Sequence, residues 1–308
     1  MNKKLHIFFL FLTALIWGTA FVAQRLGSEY VEPFTYLAWR SWAAVLFLVP
    51  LVRIMDRFFE KRGIDNRKPK SAADRKLLII GGCLSGTMLF AASATQQIGI
   101  TYTTASKAGF ITALYVVLVP LLSVFIKKRP SPQIWACVAL ALLGLYLLCI
   151  KTEDFTLEYG DAWVLSCAFL FAVQILILSY FSPRADAIRL SFVQFLVVAV
   201  LSTAFMLLTE HPTAENIRLA LLSILYAGIF SGGIAYTLQI IGQDGVNPTI
   251  ASLIMSLESV FSALSGALFL HERLTLRELS GAALMLLAIL LAQIEIRPRL
   301  RHTPQADV

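Results

Sequence analysis

Charge is what this sequence has least of. Only 15% of its 308 residues are Asp, Glu, Lys or Arg, against roughly 25% in an ordinary soluble domain, and that shortfall excludes a water-soluble globular protein. Cysteine is scarce as well: Cys83, Cys137, Cys149 and Cys167 all lie in apolar runs without metal-ligand spacing and read as small packing residues. No Gly-rich phosphate loop or nucleophile motif occurs, and HERLT at 271–275 starts like a zinc-binding H-E-x-x-H but lacks its second histidine. Enzyme readings therefore find little support, and no cofactor or metal is expected.

What the chain has in abundance is apolar length. It is 58% hydrophobic with a mean hydropathy of +0.75, and a transmembrane helix needs about 20 mostly apolar residues to cross about 30 Å of hydrocarbon. Ten segments approach or meet that length: 5–25, 33–53, 77–97, 104–126, 133–150, 160–181, 190–209, 219–241, 248–270 and 279–295. They predict an all-α integral membrane protein with ten spans. The basic, apolar start MNKKLHIFFLFLTALIWG resembles a signal peptide, but the run continues to Ala23 without a convincing cleavage site.

Lys and Arg in short loops set orientation. With the N-terminus inside, and Arg53 at the inner end of span 2 counted with that side, 19 of the 26 Lys and Arg fall on the inner side, four on the outer and three within spans. This places both termini in the cytoplasm, and the expected location is the plasma membrane. It also accounts for the net charge of +7 without a nucleic-acid partner.

An internal repeat divides the chain. Ala92, Gln96, Ile98 and Gly99 match Ala235, Gln239, Ile241 and Gly242 at an offset of 143, and Phe125 and Arg129 match Phe269 and Arg273 at 144. The expected units are residues 1–150, 151–296 and a cytoplasmic tail, 297–308. Five spans per unit is an odd number, so the second copy enters the bilayer from the opposite face. Two inverted five-helix repeats are the plan of secondary transporters working by alternating access. Gly82-x-x-x-Gly86 and Gly228-x-x-x-Gly232, in equivalent spans 3 and 8, have the small-residue spacing that lets helices approach closely.

Insertion scales put a charge at a helix centre at about 2.5 to 3.5 kcal/mol, which makes intramembrane charges functional candidates. Three qualify: Arg40, Lys107 and Glu258. Glu258 lies near the middle of span 9, where a carboxylate can bind a cationic group or carry a coupling proton. A helical projection puts it on a face with Ala251, Ser262 and Ser265, away from a leucine stripe of Leu253, Leu257, Leu264 and Leu268. Arg40 can clamp a carboxylate or phosphate, or serve as a structural tie to Glu258 or to helix carbonyls. Lys107 shares a face with Tyr115 and either lines a cavity or snorkels to the outer interface. Gln96, Gln97, Gln174, Gln194 and Gln239 are the supporting amides, Gln96 and Gln239 being repeat equivalents, and Trp17, Trp39 and Trp42 the aromatic candidates.

These pieces together resemble the EamA-type branch of the drug/metabolite transporter superfamily. The likeness runs through Leu15-Ile16-Trp17-Gly18-Thr19, Arg40, TTASKAGFITALYVVLVP at 103–120, GDAWVLSCAFLFA at 160–172 and SLESVFSALSGALFLHERLT at 256–275. It implies ten helices in two inverted repeats around a central cavity and export of amino acids or related compounds, with Trp17, Arg40, Glu258 and Glu272 at motif positions. Two departures are Ser259, where a proline usually follows the glutamate, and Lys128, where the second half has Glu272. The expected binding set is Trp17, Arg40, Gln96, Lys107, Tyr115, Gln239 and Glu258. The expected partners are the lipid bilayer, a small-molecule metabolite and a coupling proton, with a homodimer allowed; a channel, and after it a membrane enzyme, are the competing functions.

Overall fold

The structure, a computed structural model, describes residues 3–61, 68–102, 105–126, 130–150, 159–269 and 274–293. Among them there is no strand, and the helices fall into ten spans. The first half consists of α1 (Lys3–Ser28), α2 (Pro33–Lys61), α3 (Ala72–Tyr102), a broken fourth span of α4 (Ala105–Ala113) and α5 (Tyr115–Phe125), and α6 (Pro132–Cys149). The second half repeats that order. It has α7 (Tyr159–Phe181), α8 (Ala187–Thr209), an eighth span of α9 (Ala214–Tyr226), a π-helical stretch Ala227–Ala235 and α10 (Tyr236–Gln243), then a broken ninth span of α11 (Pro248–Met255) and α12 (Glu258–Phe269), and finally α13 (Leu276–Gln293). Nine spans are long and apolar enough to cross a membrane by composition alone. α2, the tenth, has the length, but its end RIMDRFFEK carries five charged residues.

The packing scheme survives exchange of the halves. Span 3 packs along span 6, and span 8 along span 1; span 3 also touches span 7, as span 8 touches span 2. Spans 2 and 7 pair with each other, as do spans 5 and 10, so the exchange maps each of these pairs onto itself. The expected small-residue contacts fall on this scheme. A Cβ added at Gly86 would lie 2.7 Å from the Gln194 carbonyl oxygen, and one at Gly228 2.5 Å from that of Arg40, so backbones meet there at distances no larger residue permits.

Spans 2 and 7 are fastened at both ends. In the turn after α8, buried Glu210 accepts from the Phe34 amide at 2.8 Å, the Thr35 amide at 2.6 Å and the Thr35 hydroxyl at 2.7 Å, serving the free donors of the first turn of α2. At the opposite face, Arg189 in the first turn of α8 donates to Asp56 Oδ2 of α2 at 2.6 Å. The two clasps are repeat equivalents, because 154 residues separate Asp56 from Glu210 and Thr35 from Arg189 alike.

The leucine stripe expected along span 9 holds only in its second half. Leu264 and Leu268 are exposed on the outside of the bundle, but Leu253 and Leu257 are buried. A single helical projection fails because the span breaks between the two pairs. Trp39 and Trp42 also face outward, away from the interior.

Candidate functional site

The breaks in spans 4 and 9 create the centre of the molecule. In span 9 the hydroxyls of Ser252 and Ser256 bond back to the carbonyls of Thr249 (2.9 Å) and Leu253 (2.8 Å), a competition that bends helices. The Leu257 and Ser259 amides then bond three residues back, to Ile254 and Ser256, both at 3.2 Å. The turn therefore forms without the proline usual after the glutamate. In span 4 the Leu114 amide likewise reaches three residues back, to Ile111 at 3.2 Å. Pro120, six residues on, sits inside α5 and does not mark the break.

Each break ends on the first residue of a half-helix, Tyr115 of α5 and Glu258 of α12. Both side chains are buried, and the Tyr115 hydroxyl donates to Glu258 Oε1 at 2.9 Å. α1 crosses at this level, where a Cβ on Gly18 would lie 2.4 Å from Phe261 Cβ and 2.8 Å from the Glu258 carbonyl oxygen. The missing side chain at Gly18 is what lets α1 pack this closely against α12.

Around this pair lies a cavity that gathers six of the seven expected residues: Trp17, Arg40, Gln96, Tyr115, Gln239 and Glu258. Its volume open to the centres of water molecules is ≈ 40 Å³, room for about three waters at 10–15 Å³ each. The backbone of Lys107 belongs to α4, but its side chain lies outside the described residues.

Arg40 is half-buried. Its Nη1 donates to Gln24 Oε1 at 3.2 Å, and its guanidinium carbon stands 5.8 Å from the centre of the Tyr36 ring. The tie to Glu258 weighed from the sequence is not formed: among the described residues neither Arg40 nor Glu258 has an ion pair. A cation from the first half and a carboxyl from the second thus share one cavity without neutralising each other.

The remaining walls are amides and rings. Gln239 donates to Gln174 at 3.3 Å and Gln174 to Gln194 at 3.1 Å, a buried amide chain across α10, α7 and α8, while Gln96 donates to Thr112 at 3.2 Å. The Trp17 and Tyr236 rings pack with centroids 4.7 Å apart. Trp17 Nε1 and Gln239 Oε1 are buried without a protein partner, a donor and an acceptor left over in the lining.

Sequence reasoning missed Gln24, Phe21, Phe171, Ser231 and Tyr236, all of which line the cavity. A signal existed for some of them. Phe171 lies 154 residues after Trp17, the separation that relates the two clasps, and Tyr236 lies three residues before Gln239 on the same helical face. At that separation Arg40 corresponds to Gln194, so the repeats differ here by one full charge. Arg40 and Gln96 stand eleven residues further apart than Gln194 and Gln239, which accounts for the two offsets, 154 and 143.

Comparison with known proteins agrees with this architecture. A family model described as EamA-like transporter family matches residues 4–150 and again 158–293. A protein of Archaeoglobus fulgidus called an uncharacterized transporter is 30% identical over 291 residues, covering 92% of this chain and 84% of the relative. The Bacillus subtilis strain 168 protein called uncharacterized transporter YoaV is 22% identical over 276 residues, covering 88% of this chain and 90% of its own. A crystal structure 19% identical in sequence superposes with a TM-score of 0.74 over 95% of this chain and 97% of its own, a likeness of fold.

Proposed function

We propose, from the premise that this chain belongs to the EamA-like transporter family, that it is a secondary transporter whose cavity carries a small anionic or zwitterionic metabolite, an amino acid or a related compound. The observation that carries this reading is the coexistence of Arg40 and Glu258, unpaired with each other, around one central cavity. A zwitterion presents a carboxylate and an ammonium at once. Arg40 offers the first a bidentate donor, and Glu258 offers the second an acceptor. Trp17, Tyr115, Gln96 and Gln239 supply ring faces and hydrogen bonds, which fix orientation.

Transport proceeds by alternating access. Two repeats, residues 1–150 and 151–296, are related by an axis in the membrane plane and can exchange conformations around a fixed site. The exchange-symmetric packing and the matched breaks at Leu114 and Ser256–Leu257 support this. Half-helices ending at the bilayer centre are where transporters of this plan build their sites. Glu258 is also the group placed to take up a coupling proton in competition with a cationic substrate group. The direction is export and the chain lies in the plasma membrane with both termini cytoplasmic; the Lys and Arg distribution supports that orientation.

Counterflow in proteoliposomes tests the proposal. Vesicles preloaded with single unlabelled amino acids should accumulate the same labelled amino acid transiently, and the flux should saturate. Flux that rises linearly with concentration and shows no counterflow would identify a channel instead.

A further inference from the structure

We propose that Gln239 and Gln243 of α10, with Thr249 of α11, line a polar branch running from the central cavity to the membrane face that bears the N-terminus. It takes water and the uncharged hydrogen-bonding groups of a polar substrate. The substrate half of this statement rests on the transporter reading; the branch itself does not.

The branch is marked by polar atoms that the protein leaves alone. Gln239 lines the cavity and is 1% exposed, and its Oε1 has no partner. Four residues on, on the same helical face, Gln243 is also 1% exposed, and neither its Oε1 nor its Nε2 has a partner. Thr249 Oγ1, beyond the turn, is in the same condition. Buried polar atoms are almost always hydrogen-bonded, to ordered water where not to protein. Four such atoms, one helical turn apart and ending at a turn, describe a polar track.

Its end is at the surface. Gln243 is the last residue of α10, and the chain turns next at Gly245, whose φ of +75° suits glycine. Eight spans, an even number, precede this turn, so it lies on the side of the N-terminus. A glutamine here could have reached solvent, yet it is buried. The first repeat has no counterpart: 143 residues before Gln243 stands Ile100, and Gln96, the equivalent of Gln239, is served by Thr112. One turn beyond the amide common to both repeats, α10 therefore carries a buried polar side chain where α3 carries an aliphatic one. The aliphatic neighbour Ile240, fully buried in a cluster with Leu178 and Leu190, points elsewhere and provides a control.

Thiol labelling with a membrane-impermeant maleimide tests the branch without any substrate. In a background with Cys83, Cys137, Cys149 and Cys167 replaced by serine or alanine, Gln243→Cys and Thr249→Cys are introduced singly. Pro183→Cys and Pro212→Cys, in exposed turns on opposite faces, report sidedness, and gel filtration shows which variants fold. The branch predicts that the thiol introduced by Gln243→Cys or by Thr249→Cys reacts from the face that labels Pro183→Cys, while Ile240→Cys keeps its thiol free. If folded Gln243→Cys and Thr249→Cys both stay unlabelled, label only from the face that labels Pro212→Cys, or label no faster than Ile240→Cys, the branch does not exist. Counterflow of the unmodified protein is a separate result, so loss of the branch leaves the transporter reading intact.

Discussion

The Tyr115 hydroxyl and the Glu258 carboxyl, joined by a 2.9 Å hydrogen bond, are 143 residues apart, the separation that relates Gln96 to Gln239. They occupy equivalent positions of the two repeats and meet face to face. A residue can touch its own equivalent only close to the axis that exchanges the halves, so this bond marks where the axis passes. One member carries a phenol where the other has a carboxyl, and the centre of the molecule is chemically asymmetric as a result.

Tyr115→Phe removes the donor and leaves a buried carboxyl oxygen unserved, which costs about 1–3 kcal/mol. The purified variant is expected to melt at a lower temperature than the parent. Glu258→Gln keeps an acceptor for Tyr115 and should melt close to the parent, yet lose counterflow. Wild-type counterflow in Glu258→Gln would remove Glu258 from the transport site.

Arg40→Gln installs in the first repeat the residue that Gln194 provides in the second. A charged hydrogen bond to a carboxylate contributes about 1.5–3 kcal/mol, or roughly 10- to 100-fold in affinity, and the half-saturating concentration in counterflow should rise by that order. Arg40→Lys, which keeps the charge without the planar fork, should fall between. Equal affinities in all three proteins would make Arg40 a structural residue.

Glycine substitutions should sort by what surrounds them. Gly86→Ala and Gly228→Ala push a methyl against a backbone oxygen of the adjoining helix, at 2.7 and 2.5 Å, and overpacking of that kind costs about 1–3 kcal/mol. Gly109→Ala meets nothing within 4 Å, and the gain in helix propensity, about 0.5–1 kcal/mol, should leave it at least as stable as the parent. Melting curves of the three variants in one detergent decide the point.

Asp186, in the turn before α8, responds to pH. Its carboxyl is pushed above the ordinary range by burial, against the opposing pull of Arg189, whose amide it also caps at 2.8 Å. The folded state therefore disfavours its ionised form. Its favourable contribution is complete below the ordinary carboxylate pKa and is lost as pH rises through the elevated value. Asp186→Asn retains the cap without the charge and should flatten this part of the dependence, melting no lower than the parent near neutral pH. A variant that loses stability chiefly at neutral pH would show that the Arg189 attraction outweighs burial.

The sequence disclosed the spans and the cavity residues because burial in lipid leaves long apolar runs in which a charge or amide stands out. Arg40, Gln96, Gln239 and Glu258 were visible for that reason, and Trp17 through the motif it sits in. The breaks were not, since an interrupted transmembrane helix is as apolar as a continuous one, and the serine back-bonding that bends span 9 uses residues common in straight helices. That interruption is why a stripe read from one continuous helix fails at Leu253 and Leu257, both buried. Gln24 stayed hidden because its partner, Arg40, comes from another span, and only the folded chain brings them together.

The clasps at the two ends of α2 and α8, Glu210 on Thr35 and Arg189 on Asp56, pin one seam at both faces. A seam held in that way behaves as an axle rather than a door. If the halves rock, these two helices turn together, and the gap must open along other seams. Spans 4 and 9, already cut in the middle, are free to bend there without breaking an intact helix.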